Sequence, residues 1–187
     1  MFPNKKLCHD NDYFSEKDAF DLIEVKVDKF INFHSLKEHN FFELLLILSG
    51  EGVFEINGIS YVISPGTFYF LTPFHITQLT VKNKLPIKYM SCKFDWSYLS
   101  KELIYPIPQI KQINHFLSIK PYVHCNSDEF ALVLGVFEQL YNEYRQKQDV
   151  FSSLLIKTYV LSLCHSHAGF SKRTYLTSEK ASLKIQL

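Results

Sequence analysis

The sequence predicts a mainly β protein in which a small antiparallel barrel is followed by two α-helices. The segment 41–48 is almost entirely apolar, as expected of a strand that is buried on both faces. Asn57-Gly58 supplies the positive φ angles of a tight hairpin turn, and Pro65-Gly66 marks a second turn. Short strands joined by turns at intervals of roughly 8–12 residues are typical of sandwiches and barrels, and a small closed barrel often holds one small ligand.

The predicted barrel occupies residues 20–122 and follows a polar N-terminal arm over residues 1–19. Each strand is a short run of apolar, aromatic and β-branched residues bounded by turn signals. Pro106 and Pro108 interrupt the region after the last of these runs and exclude a helix there. The predicted strands are 25–33, 41–48, 53–56, 60–63, 67–71, 77–81 and 88–94, and with the stretch before Asn126 they make a set of about seven or eight.

The sequence changes to helical spacing after residue 126. Ser127 can cap a helix, and the acidic residues that follow it are favourable beside the positive end of a helix. Two apolar stripes indicate helices over about 128–147 and 151–168, and the second is predicted to end near Gly169. The helical segment is placed at 123–170 and a polar tail at 171–187, with stripes formed by Phe130, Val133, Leu134, Phe137, Tyr141 and Tyr144 and by Phe151, Leu154, Leu155, Thr158, Tyr159 and Ser162.

Composition bounds the class of protein. With 187 residues, of which 47% are hydrophobic, the chain is long enough to bury a core. The net charge of +1 provides no general basic field for nucleic acid. Four cysteines lie far apart, without the paired spacing of a zinc or redox site, and they fit a reducing compartment. Since there is no signal-peptide core and no apolar run near about 18 residues, we expect a soluble cytoplasmic protein with no membrane partner.

Six short sequence features occur in one order between residues 33 and 75. Each of them is weak alone, but together they resemble the N-terminal sensing domain of AraC-type transcription regulators. These features are His39, Glu43-Leu44, Ser49-Gly50-Glu51-Gly52, Asn57-Gly58, Pro65-Gly66 and Pro73-Phe74-His75.

The same segment resembles the cupin pattern, in which a histidine pair, a glutamate and a glycine read H-x-H-x3-E-x6-G. His39, Glu43 and Gly50 match these intervals, but Lys37 and Tyr69 stand where two further metal-binding histidines belong. Catalytic zinc sites keep three protein ligands and an open position. We therefore expect no metal and no other cofactor, although His34 or His75 could in principle join His39 and Glu43.

The resemblance implies a cupin-like double-stranded β-helix, or jelly roll, that senses a ligand and dimerises within an AraC-family regulator. A small-molecule effector would bind in the barrel, the helices would form a homodimer, and DNA would be bound only through a C-terminal helix-turn-helix domain. That domain is absent from this sequence, which is therefore either a truncated regulator or a stand-alone sensor. The alternatives are a small cupin enzyme of the isomerase or dioxygenase type, and a barrel without ligand that serves only as a dimer module. No nucleophile motif appears, so we expect no enzymatic activity.

Strand alternation and the cupin analogy together select the candidate ligand-binding residues. Alternate residues of a strand share a face, so the residues that share a face with Glu43 would face the lumen. By the analogy, Tyr69 and its neighbour two residues on would face it as well. Alternatively, His39 and Glu43 hydrogen-bond each other or the backbone inside a filled barrel. The predicted ligand-binding residues are His39, Phe41, Glu43, Leu45, Tyr69 and Leu71.

The two helical stripes supply the candidate dimer interface, although the same residues could simply pack on the barrel. His165-x-His167 lies near the predicted end of the second helix, where the helix dipole attracts cations. We expect that attraction, and not metal binding, to explain the pair. The predicted interface residues are Phe130, Leu134, Phe137, Tyr141, Leu155 and Tyr159.

Overall fold

A computed structural model of the chain describes residues 8–9, 23–30, 37–38, 41–73, 75–82, 85–100, 120–146 and 149–185. Within them the chain forms β-strands first and long helices last. The elements are β1 (Cys8–His9), β2 (Ile23–Phe30), β3 (Lys37–Glu38), β4 (Phe42–Ser49), β5 (Gly52–Ile56), β6 (Ile59–Ile63), β7 (Thr67–Leu71), β8 (Ile76–Val81), β9 (Ile87–Phe94), α1 (Trp96–Ser100), β10 (Tyr122–His124), α2 (Ser127–Arg145) and α3 (Val150–Ile185).

The described strands form two five-stranded sheets. One, the solvent-facing sheet, has the order β1-β3-β8-β5-β6, and the other, the helix-facing sheet, has the order β10-β7-β4-β9-β2. All pairings are antiparallel except that of β1 with β3. The chain passes repeatedly from one sheet to the other, which is the topology of a double-stranded β-helix. The predicted fold class, a cupin-like barrel followed by helices, is confirmed.

The helix-facing sheet separates two hydrophobic cores. Successive side chains of a strand point to opposite faces, so Leu45 and Tyr69 lie in the core between the sheets. Leu44 and Phe68 lie in the other core, against α2 and α3. Both faces of the central strands are buried, which accounts for a segment 41–48 that is apolar except at Glu43.

The Gly50-Glu51-Gly52 crossing between β4 and β5 is tightly packed. Gly50 has a φ of +96°, and a Cβ there would lie 2.8 Å from the Cα of Ile87. A Cβ on Gly52 would lie 2.5 Å from the backbone oxygen of Thr80. Neighbouring strands approach so closely here that only glycine fits at both positions. The chain can therefore cross from β4 in one sheet to β5 in the other within three residues.

The first long helix starts with a capping box. The Asn126 side-chain oxygen accepts hydrogen bonds from the backbone N–H groups of Asp128 and Glu129, at 3.1 and 3.0 Å. The Glu129 carboxylate in turn accepts from the Asn126 N–H at 3.0 Å. The cap is thus Asn126 and not Ser127, because the amide oxygen reaches both N–H groups from an extended residue one position earlier.

Several predicted boundaries differ from the observed ones. The second long helix does not end near Gly169 but continues to Ile185, so the predicted polar tail is helical over most of its length. A glycine inside a helix costs only about 1 kcal/mol relative to alanine, which neighbouring helix formers can overcome. β10 lies across the predicted boundary between barrel and helical segment, and α1 was not predicted. Pro106 and Pro108, and nearly all of the predicted arm 1–19, lie outside the described residues.

No helix in the described ranges is both long enough and apolar enough to cross a membrane.

Gly52→Ala should destabilise the domain by roughly 1–3 kcal/mol, because the new methyl group forces the β5 and β8 backbones apart. Urea unfolding at equilibrium measures the change. Gly135→Ala is the matched control, because a Cβ on Gly135 meets no atom within 4 Å. It should stabilise the helix by about 0.5–1 kcal/mol. Equal stability of wild type and Gly52→Ala would contradict the close approach at this crossing.

Candidate ligand-binding site

The strand register gathers four of the predicted ligand-binding residues into one patch on the lumen wall. Glu43 of β4 stands opposite Leu71 on β7 and Lys93 on β9. Leu45, the next β4 residue on that face, stands opposite Tyr69 on β7. The sequence therefore placed Glu43, Leu45, Tyr69 and Leu71 on a common surface, and the structure brings them into adjacent rows.

Glu43 and Lys93 bring charge into this wall although both side chains are buried. Ser91 of β9 donates a hydrogen bond from its hydroxyl to Oε1 of Glu43, at 2.7 Å. The Lys93 ammonium lies 4.7 Å from the centroid of the Phe41 ring, a cation–π distance. Opposite charges on directly opposite residues of neighbouring strands also attract. Phe41 thus contacts the charged end of the patch.

Sequence reasoning missed Ser91 and Lys93. Both lie on β9, which is far from β4 in the sequence and contributes no part of the family motif. The available signal was the placing of a serine and a lysine, two residues apart, in the inner part of a strand whose other residues, apart from Lys88 near its start, are apolar or aromatic. Two polar residues on one face of a buried strand indicate a polar site on that face.

Tyr69 is fully buried, and within the described part of the chain its hydroxyl has no hydrogen-bond partner. The ring of Phe54 meets it edge to face at 4.9 Å between centroids. Burial, and then the proximity of Tyr122 and Tyr61, raise the pKa of the Tyr69 hydroxyl far above its usual value, so it stays protonated. A buried hydroxyl without a partner costs about 1–3 kcal/mol, which a suitable ligand group would recover.

Two further tyrosines, which the sequence did not single out, complete an aromatic group with Tyr69. The rings of Tyr61 on β6 and Tyr122 on β10 are 4.6 Å apart, and Tyr122 is 6.1 Å from Tyr69. Tyr61 and Tyr122 are half-buried, whereas Tyr69 is buried. The hairpin register pairs Tyr61 with Phe54 and could have identified Tyr61. The stretch before Asn126 was predicted as a strand, but three residues do not show which face Tyr122 takes.

Other motif residues hold turns and do not line the lumen. The side chain of Asn57 accepts a hydrogen bond from the Ile76 N–H at 2.7 Å. The Nδ1 atom of His75 accepts one from the Thr72 N–H at 2.9 Å, and burial lowers the pKa of this imidazole. His75 is thus engaged in its own turn. His39 lies outside the described residues, so its proposed contact with Glu43 stays a prediction. No three His, Cys, Asp or Glu side chains come together among the described residues.

The predicted interface residues fall into three groups according to how far their side chains are buried. Phe137 is completely buried and packs edge to face on Phe68, with centroids 6.0 Å apart. Since that contact lies inside one chain, Phe137 is not available to a partner. Four others are half-buried against the helix-side core, and Leu155 is 43% exposed. The half-buried residues are Phe130, Leu134, Tyr141 and Tyr159.

Four exposed apolar residues on the first turns of α3, Leu155 among them, form a surface that we call the α3 patch. It consists of Val150 (81% exposed), Phe151 (77%), Leu154 (55%) and Leu155 (43%). Large apolar residues clustered in this way on a surface mark sites of protein contact.

The sequence pattern described as the AraC-like ligand binding domain matches residues 31–164. The chain belongs to this family. No curated protein sequence matches that of the AraC-like domain described here.

Solved structures with a similar fold include the ToxT protein of Vibrio cholerae and a cupin protein of Bacteroides fragilis. ToxT is 12% identical with a TM-score of 0.47, over 80% of this chain and 57% of the ToxT chain. A second ToxT structure, bound to (E)-4-(8-methylnaphthalen-1-yl)but-3-enoic acid, is 14% identical with a TM-score of 0.45, over 80% and 59% of the two chains. The cupin is 18% identical with a TM-score of 0.37, over 46% and 72%. The AraC-like domain thus spans less than two thirds of the length of ToxT.

His167 is a buried neutral group in the AraC-like domain, and not the cation expected at a helix end. It lies in the interior of α3, with its ring 5.2 Å from that of Phe68 and 5.8 Å from that of Phe70. Burial lowers its pKa from 6.5 to about 3. The expectation was wrong because the helix continues past Gly169. His167 therefore lies in the middle of the helix, on the face that packs against the sheet.

This histidine should make the domain sensitive to acid. The unfolded chain binds a proton near pH 6.5 and the folded one near pH 3, so stability falls as the pH drops through this window. Lowering the pH from about 7 to about 5 should cost about 2 kcal/mol through this one group. Urea unfolding at both pH values should show this loss in wild type and its absence in His167→Leu. The exposed neighbour gives the control His165→Gln, which should keep the loss; a wild-type-like loss in His167→Leu would contradict the assignment.

Proposed function

We propose that this AraC-like domain is the sensing and dimerisation domain of an AraC-family transcription regulator, with a small-molecule effector bound inside the barrel. The observation that carries the proposal is the Tyr69 hydroxyl, which is buried in the lumen and has no partner among the described residues. The family assignment favours a regulator over a small cupin enzyme.

The lumen wall supports an effector that is partly apolar and partly polar. Phe54, Leu71 and Leu79 provide an apolar surface in the same core as Tyr69. The Tyr69 hydroxyl can donate to or accept from a ligand, and the Glu43–Ser91 pair lies on the next strands of the same wall. A few polar groups converging on an apolar wall are typical of small-molecule sites. These groups match the chemistry of a hydroxylated or carboxylated metabolite with an apolar body.

The α3 patch supports the dimerisation half of the proposal. Its four apolar residues lie at the start of α3, and Phe151 and Val150 are more than three-quarters exposed. A second copy of the domain placed on this patch would remove their apolar surface from water, which is the main driving force of association. An effector that binds one arrangement of the barrel better than another would shift an existing equilibrium, and the dimer would convey it to a DNA-binding domain outside this sequence.

Tyr69→Phe tests the effector site because it removes one oxygen atom and keeps the ring. Without ligand, the variant should be as stable as wild type or more stable by about 1 kcal/mol, since a buried hydroxyl without a partner is lost. A thermal-shift screen with amphipathic carboxylic acids and hydroxylated metabolites should find a compound that stabilises wild type. At a concentration of 100 times its dissociation constant the gain is about 2.7 kcal/mol, and Tyr69→Phe should reduce it.

The control is Tyr89→Phe, which changes another buried lumen tyrosine on β9. It should leave the shift caused by the compound close to that of wild type. A compound whose shift survives Tyr69→Phe binds elsewhere. A marked loss of stability in ligand-free Tyr69→Phe would show that the hydroxyl already has a partner.

Leu155→Glu tests the dimer without entering the core of the monomer. Sedimentation velocity at tens of micromolar should show a wild-type dimer and a monomeric variant, because a charge at a buried interface lacks solvent and a partner. The variant should melt as cooperatively as wild type at high dilution. Gln139→Glu, an exposed change on α2 that lies outside both predicted stripes, should remain dimeric. A monomeric wild type, or a dimer that survives Leu155→Glu, would refute this interface.

A further inference from the structure

We infer that β10 is the element through which the lumen acts on the helices: a ligand beside Tyr69 displaces Tyr122, and the displacement alters the ion pair of Glu129 with Arg173 on α3. The inference rests on the proposed effector site. It adds to that proposal a route and a destination, namely the distal half of α3 and not the α3 patch.

β10 places adjacent side chains in different cores. Tyr122 packs beside the lumen core, where its ring contacts those of Tyr61 and Tyr69 at 4.6 and 6.1 Å. Val123, the next residue, is buried in the helix-side core that also contains Phe137 of α2. Because adjacent residues of a strand are rigidly linked, β10 cannot shift on its lumen side without shifting on its helix side.

The attachment of β10 to the barrel is limited. Among the described strands it pairs with β7 alone, at the end of the helix-facing sheet, with Tyr122 opposite Tyr69 and Val123 opposite Phe68. The N–H of Phe70 donates to the carbonyl of Pro121, at 2.9 Å, just before the strand. The N–H of Cys125 donates to the carbonyl of Gly66, also at 2.9 Å, just after it. A three-residue edge strand can slide on one neighbour while the rest of the sheet stays intact.

The strand is joined to α2 by two residues, the second of which is the helix cap. After His124 the chain reaches Asn126, whose N–H and side chain both bond to Glu129. Any shift of β10 therefore moves the capping box of α2. It also moves the first turn of that helix relative to α3.

The Glu129 carboxylate joins the capping box to α3. One of its oxygens accepts from Asn126 at 3.0 Å, and the other forms an ion pair with the Arg173 guanidinium. Arg173 also lies over the ring of Phe170, 5.1 Å from its centroid. Glu129 is mostly shielded from solvent, its side chain being 14% exposed, so the orientation of this carboxylate is well defined. A moved cap changes the position from which Glu129 meets Arg173.

Hydrogen exchange followed by mass spectrometry tests this route on the whole chain without any ligand. Tyr122→Leu removes the ring between the lumen and β10 but keeps an apolar side chain. We expect amide exchange to accelerate at the start of α2 and around Arg173, by at least about fivefold, the low end of typical coupling between sites. Exchange in the α3 patch should stay unchanged. Tyr122→Phe, which keeps the ring, should resemble wild type.

Two further variants separate this route from general loosening. Leu79→Ala removes lumen contacts on the solvent-facing sheet, where β8 does not pair with β10, and should leave exchange around Arg173 as in wild type. Glu129→Gln keeps a cap acceptor but removes the charge that pairs with Arg173. In the double variant with Tyr122→Leu, exchange around Arg173 should be no faster than in Glu129→Gln alone.

The route is wrong if Tyr122→Leu leaves exchange around Arg173 unchanged, or if Leu79→Ala accelerates it equally. If Tyr122→Leu does not fold, Tyr61→Ala provides the measurement, because Tyr61 touches Tyr122 without belonging to β10. It should accelerate exchange at the same two places. A failed metabolite screen would count against the effector proposal and leave this measurement intact, whereas a ligand hit with no effect of Tyr122→Leu would count against the route alone.

Discussion

The burial of both faces of the helix-facing sheet is the constraint on which the rest of this structure depends. Leu44 and Phe68 face the helices, while Leu45 and Tyr69 face the lumen. A slip of one residue in the pairing of β4 would exchange these faces, because side chains alternate with a period of two. The slip would place the Glu43 carboxylate against apolar helices, at a cost of several kcal/mol. One register thus determines both the polar groups of the lumen and the platform on which α2 and α3 pack.

Among the described residues, the lumen contains polar groups that have a hydrogen-bond partner and one hydroxyl that has none. Glu43 accepts a hydrogen bond from Ser91 across neighbouring strands, so this pair contributes to the specificity of strand pairing. Tyr69 gains no such compensation among the described residues. Buried polar groups are nearly always paired in stable proteins, so the Tyr69 hydroxyl is the group that the proposed effector would pair.

The sequence predicted what depends on neighbouring residues and missed what depends on distant ones. Local geometry predicts the Asn57-Gly58 turn, the nearly all-apolar strand 41–48 and the position of Leu45 on the same face as Glu43. The structure has all three. Ser91 and Lys93 were missed because their places beside Glu43 depend on pairing between distant strands. A helical stripe shows that Phe137 and Leu155 are apolar, but not whether each meets its own barrel or another chain. The end of α3 was misplaced because a helix supported by packing tolerates a glycine that would weaken an isolated one.

The unbroken length of α3 makes it a mechanical lever. Its 36 residues correspond to about 54 Å at a rise of about 1.5 Å per residue. His167 packs against Phe68 and Phe70 of the sheet, so the helix can pivot there and not at its first turn. From His167 to Ile185 it extends about 27 Å, and a rotation of about 5° displaces its far end by about 2 Å. A small adjustment in the packing around His167 is therefore carried to whatever the far end touches. The helix carries this motion through its stiffness, without any part of the domain unfolding.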